Sequence, residues 1–251
     1  MFPPSKSERA PLLCYVTDRR SLVSPETFEE RQPFDTRKIL LEKIAAAAAA
    51  GVDWIQIREK DLSGIESSSL AREAVRLAGS SSPGTAAMAR LSSKTERARE
   101  QLSTRILVND RLDVALAVQA GGVHLGEKSL PAREARRLVK SLHREKDFLV
   151  GVSCHSLEAA KAAESSGADY LFFGPVFATP SKVAHGAPQG LECVAEVCRA
   201  VSVPVLAIGG ITLENAADCL SAGASGIAAI RLFQDSPDLA AIIRALRGIS
   251  T

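Results

Sequence analysis

Eight short runs of apolar residues recur along the chain, and each is followed by a longer segment with helical periodicity. The runs are apolar at consecutive positions rather than at alternate ones, which is typical of parallel strands covered on both faces. They occupy residues 12–17, 54–58, 106–109, 122–125, 148–153, 170–177, 204–208 and 226–230. The pattern therefore predicts eight parallel strands separated by helices.

The helical segments carry start and stop signals of their own. Pro131 stands at the start of one segment, where its missing N–H costs nothing. Gly51, Gly167 and Gly223 follow the last turns of three others, and a glycine there can adopt the left-handed conformation that closes a helix. The predicted helices occupy 36–50, 65–78, 111–119, 131–142, 156–166, 191–200, 213–221 and 237–246.

Eight strand–helix units in 251 residues match the number and size of a (β/α)8 TIM barrel. Strands and helices also alternate in a doubly wound open sheet, but most such domains have fewer than eight strand–helix units. We therefore predict an α/β fold with a single barrel over 12–251, preceded by a polar tail at 1–11. Insertions near 20–35 and 79–104 exceed what a barrel requires. The first would lie on the catalytic face as a candidate lid, and the second on the opposite face.

Composition limits the classes of function. The chain is 46% hydrophobic but only 4% aromatic, which predicts an aliphatic core, and its net charge of +2 gives no reason to expect nucleic acid or a membrane as partner. No apolar run reaches the roughly 18 residues of a membrane span, and the start lacks the apolar stretch of a secretory signal. Five cysteines without a CxxC pair argue against a disulfide frame or zinc site, and favour a cytoplasmic location.

Polar residues gather where the second and third predicted strands end. Gln56, Arg58 and Lys60 alternate along the chain, so they point the same way, into the mouth of the barrel. Two cations on one face suit a phosphate, although a solvated strand end explains them equally well. Asp110 is a candidate magnesium ligand, but from this motif alone a helix cap is the favoured interpretation.

The fourth and fifth strand ends carry histidines. His124 and His155 are each interpreted as hydrogen-bonded core or rim residues rather than catalysts. Cys154 and His155 superficially suggest a nucleophile and its base, but adjacent residues on a strand point to opposite faces, so this pair is rejected.

The loops after the last three strands favour anions. Thr179, Ser181 and Lys182 lie in a loop rich in glycine and proline that can wrap an anion, and the pair 209–210 leaves backbone amides free after the seventh strand. Arg231 follows the eighth strand, in the region where many barrels bind phosphate. The strand ends thus indicate two anion sites, which suit a bimolecular transfer or a doubly phosphorylated substrate.

The same strand ends carry a family resemblance that covers the chain in order from about residue 12 to residue 230. The matching segments are YVTD at 15–18, QIREKD at 56–61, NDR at 109–111, GVHLG at 122–126, GVS at 151–153, GPVF at 174–177 and AIGGIT at 207–212. Together they resemble thiamine-phosphate synthase and its paralogue, the thiazole tautomerase. The combination is specific for that superfamily and separates its two members less cleanly.

The resemblance implies a transferase of thiamine biosynthesis that uses Mg²⁺. It condenses 4-amino-5-hydroxymethyl-2-methylpyrimidine diphosphate with a thiazole phosphate, giving thiamine phosphate and pyrophosphate. Pyrophosphate leaves the pyrimidine methylene first, and the thiazole nitrogen then attacks. The protein would hold the leaving group on cations and magnesium.

Each role is carried over by position. Asp110 would hold magnesium, and Gln56, His124 and Ser153 would line the pyrimidine pocket. The residues that would hold pyrophosphate are Arg58, Lys60, Asn109 and Lys182. The residues assigned to the mobile loop and the thiazole phosphate are Thr179, Ser181, Gly209, Gly210, Ile230 and Arg231. The predicted catalytic residues are Arg58, Lys60, Ser153 and Lys182.

Two positions depart from the family pattern. After the fourth strand the family usually reads HLGQEDLP, whose aspartate is the second magnesium ligand, but this chain has Ser129 at that position. A serine ligates magnesium weakly, Lys128 adds positive charge, and Glu127 is a candidate substitute. Arg231 stands where the family usually has serine, which keeps or strengthens phosphate affinity.

Two alternatives to the synthase stay open. The tautomerase can carry a histidine where this chain has Pro175, and it has no evident use for Lys182 and the other pyrophosphate residues, so the synthase is favoured. A non-catalytic protein that binds thiamine intermediates is supported only by the loss of aspartate at Ser129. The resemblance also leaves open whether the chain forms a homo-oligomer.

Overall fold

Eight parallel strands close into a barrel in chain order, with the first strand paired to the eighth. The computed structural model describes residues 10–23, 33–80, 104–126, 128–179 and 187–249, with 33–35 and 80 described by their backbone alone. The strands are β1 Leu12–Val16, β2 Trp54–Ile57, β3 Arg105–Asn109, β4 Gly122–Leu125, β5 Leu149–Cys154, β6 Tyr170–Phe173, β7 Val205–Ile208 and β8 Gly226–Ala229. The predicted (β/α)8 barrel is confirmed.

Helices follow the strands on the outside of the barrel. They are α1 Pro33–Ala50, α2 Gly64–Ser80, α3 Leu112–Ala117, α4 Ala132–Ser141, α5 Leu157–Ser165, α6 Gly190–Ala200, α7 Leu213–Ser221, α8 Arg231–Gln234 and α9 Leu239–Arg247, with a 3-10 turn at Arg19–Leu22. The short helix α8 was absent from the sequence prediction, because four residues are too few to show a period. No helix within the described ranges is long and apolar enough to cross a membrane.

Both faces of the strands are buried, which explains their continuous apolar runs. One face packs against the helices, where Leu13, Ile55 and Leu171 belong to a large, mostly aliphatic cluster. The other face fills the barrel interior, where the cluster includes Tyr170 and Phe172. Most buried residues are aliphatic, as expected, but the overall fraction could not reveal that two of the few aromatic rings lie inside the barrel.

The predicted helix stops are confirmed. Gly51, Gly167 and Gly223 have φ angles of +90°, +87° and +101°, the left-handed conformation that glycine adopts most easily. Strand β6 ends at Phe173 rather than at 177, since Pro175 has no N–H to offer a neighbouring strand.

Several predicted features lie outside the described residues. They are the tail at 1–9, most of each insertion at 24–32 and 81–103, Glu127, Ser181 and Lys182.

Candidate active site

Four predicted site residues meet inside the carboxyl-terminal mouth of the barrel. Strand alternation directs Gln56, Asn109, His124 and Ser153 inwards, and the β3–β4 register places Asn109 beside His124. Gln56 donates from Nε2 to Oδ1 of Asn109 at 2.7 Å, and His124 Nε2 lies 2.9 Å from Ser153 Oγ. Gln56 and His124 are only 2% and 1% exposed, whereas Asn109 and Ser153 are half-buried at the opening. The structure thus forms a polar rim over a buried polar layer.

Asp110 extends this rim towards the loop after β4. Its φ of +61° directs the chain away from β3, and its carboxylate accepts hydrogen bonds from Asn109 Nδ2 at 2.6 Å and from the Gly126 amide at 3.2 Å. The N-cap of α3 is Arg111, and no side chain caps that helix. The interpretation of Asp110 as a helix cap is therefore wrong. Its exposed carboxylate is presented at the mouth instead.

Ser129 lies directly against Asp110. The Ser129 hydroxyl donates to Asp110 Oδ1 and accepts from the Gly126 amide at 2.7 Å. This is the position where the resemblance places a second magnesium ligand, and here it offers a hydroxyl oxygen next to one carboxylate. No cluster of three or more metal-binding His, Cys, Asp or Glu side chains occurs among the described residues.

The predicted cations lie just beyond β2. The Arg58 amide donates to Thr17 Oγ1 at 3.0 Å, and its half-buried guanidinium forms no ion pair with any described residue. Lys60 is exposed in a turn, three residues after the strand ends, so strand alternation no longer sets its direction. Of these two cations, Arg58 follows the strand directly and is the less exposed.

The opposite side of the mouth is built from β6, β7 and β8. A Cβ on Gly209 would lie 2.6 Å from Pro175, and one on Gly210 would lie 2.7 Å from the Ala178 carbonyl oxygen. The loops after β6 and β7 therefore pack backbone against backbone. Ile230 is the N-cap of α8, while Arg231 is exposed at its first turn. Thr179 is half-buried and ends the described part of the β6 loop.

Sequence reasoning missed the acidic network beside Arg58. Glu59 is buried and accepts hydrogen bonds from Thr17 Oγ1 at 2.6 Å and Arg19 Nη1 at 3.2 Å. The Arg19 guanidinium also donates to both carboxylate oxygens of Asp61, from Nη1 at 2.5 Å and from Nη2 at 2.7 Å. Burial raises the pKa of Glu59, whereas the hydrogen bonds from Arg19 lower the pKa of Asp61 to about 2. No local sequence signal pairs Arg19 with residues some forty positions later.

This network determines which charges face a ligand. Glu59 and Asp61 alternate with Arg58 and Lys60 along the chain, and free carboxylates there would repel an anion. Because Arg19 pairs with both acids and Arg20 pairs with Asp61, two positive charges offset the two negative ones within the protein. The cations that follow β2 are therefore left to act on a ligand.

Changing Asp61 to asparagine tests the network through its pH dependence. The pKa of Asp61 is depressed in the fold, so its stabilisation is present above pH 3.8 and is lost as pH falls towards 2. Asp61→Asn should lower the free energy of unfolding by about 1–2 kcal/mol at pH 7, since solvent screens part of the pair. Urea unfolding at pH 7, 5, 3.5 and 2.5 measures it, because most of the loss lies below pH 3.8. If the difference in the free energy of unfolding between wild type and Asp61→Asn stayed constant below pH 4, the ion pair would not be its source.

Aromatic rings lie in the barrel interior beneath the polar residues of the mouth, and the sequence analysis did not predict them there. The His124 and Phe172 rings have centroids 4.1 Å apart, and Trp54 and Tyr170 lie 4.6 Å apart. The Tyr170 hydroxyl lies 3.0 Å from His124 Nδ1. Strand alternation on β2 and β6 could have shown that these side chains point into the barrel. It could not have shown that they lie beneath a ligand site rather than in the ordinary hydrophobic core.

Comparison with known proteins agrees with this geometry. Residues 29–233 match the family model described as thiamine monophosphate synthase. A thiamine-phosphate synthase of Moorella thermoacetica is 41% identical over 84% of this chain and 88% of its own, and one of Roseiflexus is 38% identical over 84% and 79%. A solved thiamine phosphate pyrophosphorylase from Pyrococcus furiosus, 30% identical, superposes with a TM-score of 0.69 over 98% of this chain and 96% of that one. The chain therefore belongs to the thiamine monophosphate synthase family.

Proposed function

We propose that this enzyme transfers the pyrimidinylmethyl group of 4-amino-5-hydroxymethyl-2-methylpyrimidine diphosphate, through its 5-methylene carbon, to the nitrogen of a thiazole phosphate. The C–O bond to pyrophosphate breaks, a C–N bond forms, and the products are thiamine phosphate and pyrophosphate. The observation that carries the proposal is the convergence of Gln56, Asn109, Asp110, His124 and Ser153 at one barrel mouth, in a chain of this family.

The chemistry needs leaving-group stabilisation rather than a protein nucleophile. Cys154 is 1% exposed and packs in the cluster outside the barrel, while His155 Nδ1 donates to the Gly174 carbonyl oxygen. These two side chains do not form a nucleophile and base, which agrees with the rejection of that pair. Catalysis then depends on stabilising the charge that develops on the departing pyrophosphate.

Arg58 is the central residue for the leaving group in this proposal. Its planar guanidinium can bind two phosphate oxygens at once. Lys60 and Lys182 add positive charge, and Asn109 offers an amide at the rim. Arg58, Lys60 and Lys182 are proposed as catalytic residues on this basis, with Ser153 at the pyrimidine.

Magnesium fits the oxygen atoms at Asp110 and Ser129. Mg²⁺ binds hard oxygen donors, and commonly takes one or two carboxylates together with substrate phosphates and water. The Asp110 carboxylate and the Ser129 hydroxyl are adjacent and open to the mouth. We propose that these two residues hold Mg²⁺, which would neutralise negative charge on pyrophosphate.

The two organic substrates are assigned to opposite sides of the mouth. Gln56, His124 and Ser153 would contact the pyrimidine. The residues proposed for the thiazole phosphate and the loop above it are Thr179, Ser181, Gly209, Gly210, Ile230 and Arg231. The close packing of the β6 and β7 loops supports this arrangement, because it leaves backbone amides as the phosphate donors.

A product assay tests the function directly. Purified protein with both substrates and Mg²⁺ should release pyrophosphate and form thiamine phosphate in equal amounts, and omission of either substrate should prevent thiamine phosphate formation. Isomerisation of carboxythiazole phosphate without condensation would identify a tautomerase instead. Binding of thiamine phosphate and pyrophosphate without turnover would identify a non-catalytic binding protein.

Changing Ser129 to aspartate tests the magnesium site. A second carboxylate beside Asp110 should lower the Mg²⁺ concentration for half-maximal activity roughly tenfold, because ligand charge strengthens binding. Ser129→Asn is the matched control, with the same shape and no charge, and should not lower the requirement. An unchanged magnesium requirement in Ser129→Asp would place residue 129 off the metal.

We also propose that the enzyme is located in the cytoplasm. All five cysteines have free thiols, a state that a reducing compartment maintains. Lack of interaction with nucleic acid and the formation of a homo-oligomer stay predictions. Size-exclusion chromatography with light scattering would measure the oligomeric state.

A further inference from the structure

Tyr170 lies beneath the mouth in a space that Gly151 provides. Its side chain is 1% exposed, and its ring packs against Trp54 at a centroid distance of 4.6 Å. A Cβ on Gly151 would lie 2.0 Å from Tyr170 Cζ and 2.3 Å from its hydroxyl oxygen. Any side chain at 151 would therefore displace the phenol. The position of the Tyr170 hydroxyl is fixed by packing.

The hydroxyl begins a chain of hydrogen bonds that ends at the rim. Tyr170 Oη lies 3.0 Å from His124 Nδ1, and His124 Nε2 lies 2.9 Å from Ser153 Oγ. Tyr170 and His124 are buried, whereas Ser153 reaches the half-buried opening. A neutral imidazole has one donor and one acceptor nitrogen, so each end of the chain determines the other.

The buried Tyr170 hydroxyl determines which groups donate and which accept along this chain of hydrogen bonds. Among the described residues, His124 is the hydrogen-bond partner recorded for the Tyr170 hydroxyl, and a buried O–H that does not donate is unfavourable. Burial also raises the pKa of Tyr170 well above its usual range, so the phenol keeps its proton. Tyr170 then donates to Nδ1, and His124 carries its proton on Nε2 and donates to Ser153 Oγ.

We propose that Tyr170 is a positioning residue that holds His124 in the Nε2–H tautomer and thereby turns the Ser153 hydroxyl proton towards the mouth. With Oγ accepting from His124, Ser153 presents a donor to a ligand. The ring nitrogens of a pyrimidine are acceptors, so this arrangement selects such a ring. In the opposite tautomer Ser153 would donate to His124 and would offer the ligand only an acceptor. The assignment to the pyrimidine rests on the proposed function, whereas the tautomer does not.

Nitrogen-15 NMR of the histidine rings in the free protein tests the tautomer. At about pH 8, where histidine is neutral, His124 should show a protonated Nε2 and an unprotonated Nδ1. The signals are assigned by their loss in His124→Gln. Tyr170→Phe should produce a mixture of both tautomers. A wild-type protein with the proton on Nδ1, or an unchanged tautomer in Tyr170→Phe, would overturn the proposal.

The chain offers a matched control in Tyr15→Phe. The Tyr15 hydroxyl is also buried and donates to Gln234 Oε1 at 2.9 Å, on the helix-facing side of β1. Its removal should leave the His124 signals unchanged. Ser153→Ala should also keep the Nε2–H tautomer, because Tyr170 still donates to Nδ1. A switch to Nδ1–H in Ser153→Ala would show that Ser153 sets the tautomer, and it tests the proposal even if Tyr170→Phe does not fold.

Kinetics separate this proposal from the proposed function. Tyr170→Phe should lower kcat/KM for the pyrimidine diphosphate about three- to tenfold, the range for one hydrogen bond. In a Ser153→Ala background the same change should have little further effect, since Tyr170 acts through Ser153. Full additivity of the two changes would overturn the positioning role. A wild type without synthase activity but with the expected tautomer would contradict only the proposed function.

Discussion

Replacing Arg58 by alanine should lower kcat/KM for pyrophosphate release about 100- to 1,000-fold, the loss typical for one preorganised donor to a developing anion. Arg58 is half-buried directly after β2, and its backbone amide donates to Thr17 Oγ1. The neighbouring acids are engaged by Arg19, so the loss should reflect substrate contacts rather than a broken internal ion pair. Coupled detection of pyrophosphate measures the effect.

Two further variants sharpen this test. Arg58→Lys keeps the charge but not the two-pronged geometry, so its activity should fall between wild type and alanine. Arg133→Ala removes an exposed arginine on α4 and should leave activity within about twofold of wild type. A loss below about tenfold in Arg58→Ala, far under the typical cost of such a donor, would show that Arg58 is not the main ligand of the leaving group.

Replacing Gly174 by alanine should destabilise the fold by about 3 kcal/mol or more, because the new methyl group has no space. A Cβ there would lie 1.9 Å from the Ile208 carbonyl oxygen, which itself accepts from the Val176 amide at 3.0 Å. That oxygen belongs to the backbone of β7 and cannot turn aside. The β6 and β7 ends would have to separate, which would also disturb the mouth.

Thermal unfolding measures this prediction. The midpoint should fall by roughly 6–12 °C for a loss of this size. Gly79→Ala is the control, since a Cβ at Gly79, in helix α2, would meet no atom within 4 Å. That variant should be neutral or up to about 1 kcal/mol more stable, because alanine favours helix. Equal midpoints for Gly174→Ala and wild type would show that the two strand ends separate easily.

The predicted barrel depended on local signals. Continuous apolar runs indicated strands covered on both faces, and the glycines at 51, 167 and 223 closed helices, as the structure confirms. Strand parity also placed Gln56 correctly on the inner face, since alternation needs only the strand itself. Strand alternation could not predict the direction of Lys60, because β2 ends at Ile57.

Contacts between distant segments were beyond such reasoning. Asp110 was interpreted as a helix cap, yet its carboxylate contacts Ser129 and the Gly126 amide across the next strand. Arg19 engages Glu59 and Asp61 through a turn that no local pattern marks. In each case the direction of a side chain depends on a backbone turn and on neighbours brought close by the barrel.

The amino-acid sequence by itself determined the eight-unit barrel, the inward face of the second strand and, through its motifs, the family. Those properties follow from local apolar pattern and from residue types at fixed spacings. Only the tertiary structure decided that Asp110 contacts Ser129, that Arg19 pairs with Glu59 and Asp61, and that the Tyr170 hydroxyl contacts His124. These pairs are separated by roughly 20 to 45 positions in the chain. Closure of the barrel brings them together, because strand register and packing set distances that no single segment encodes.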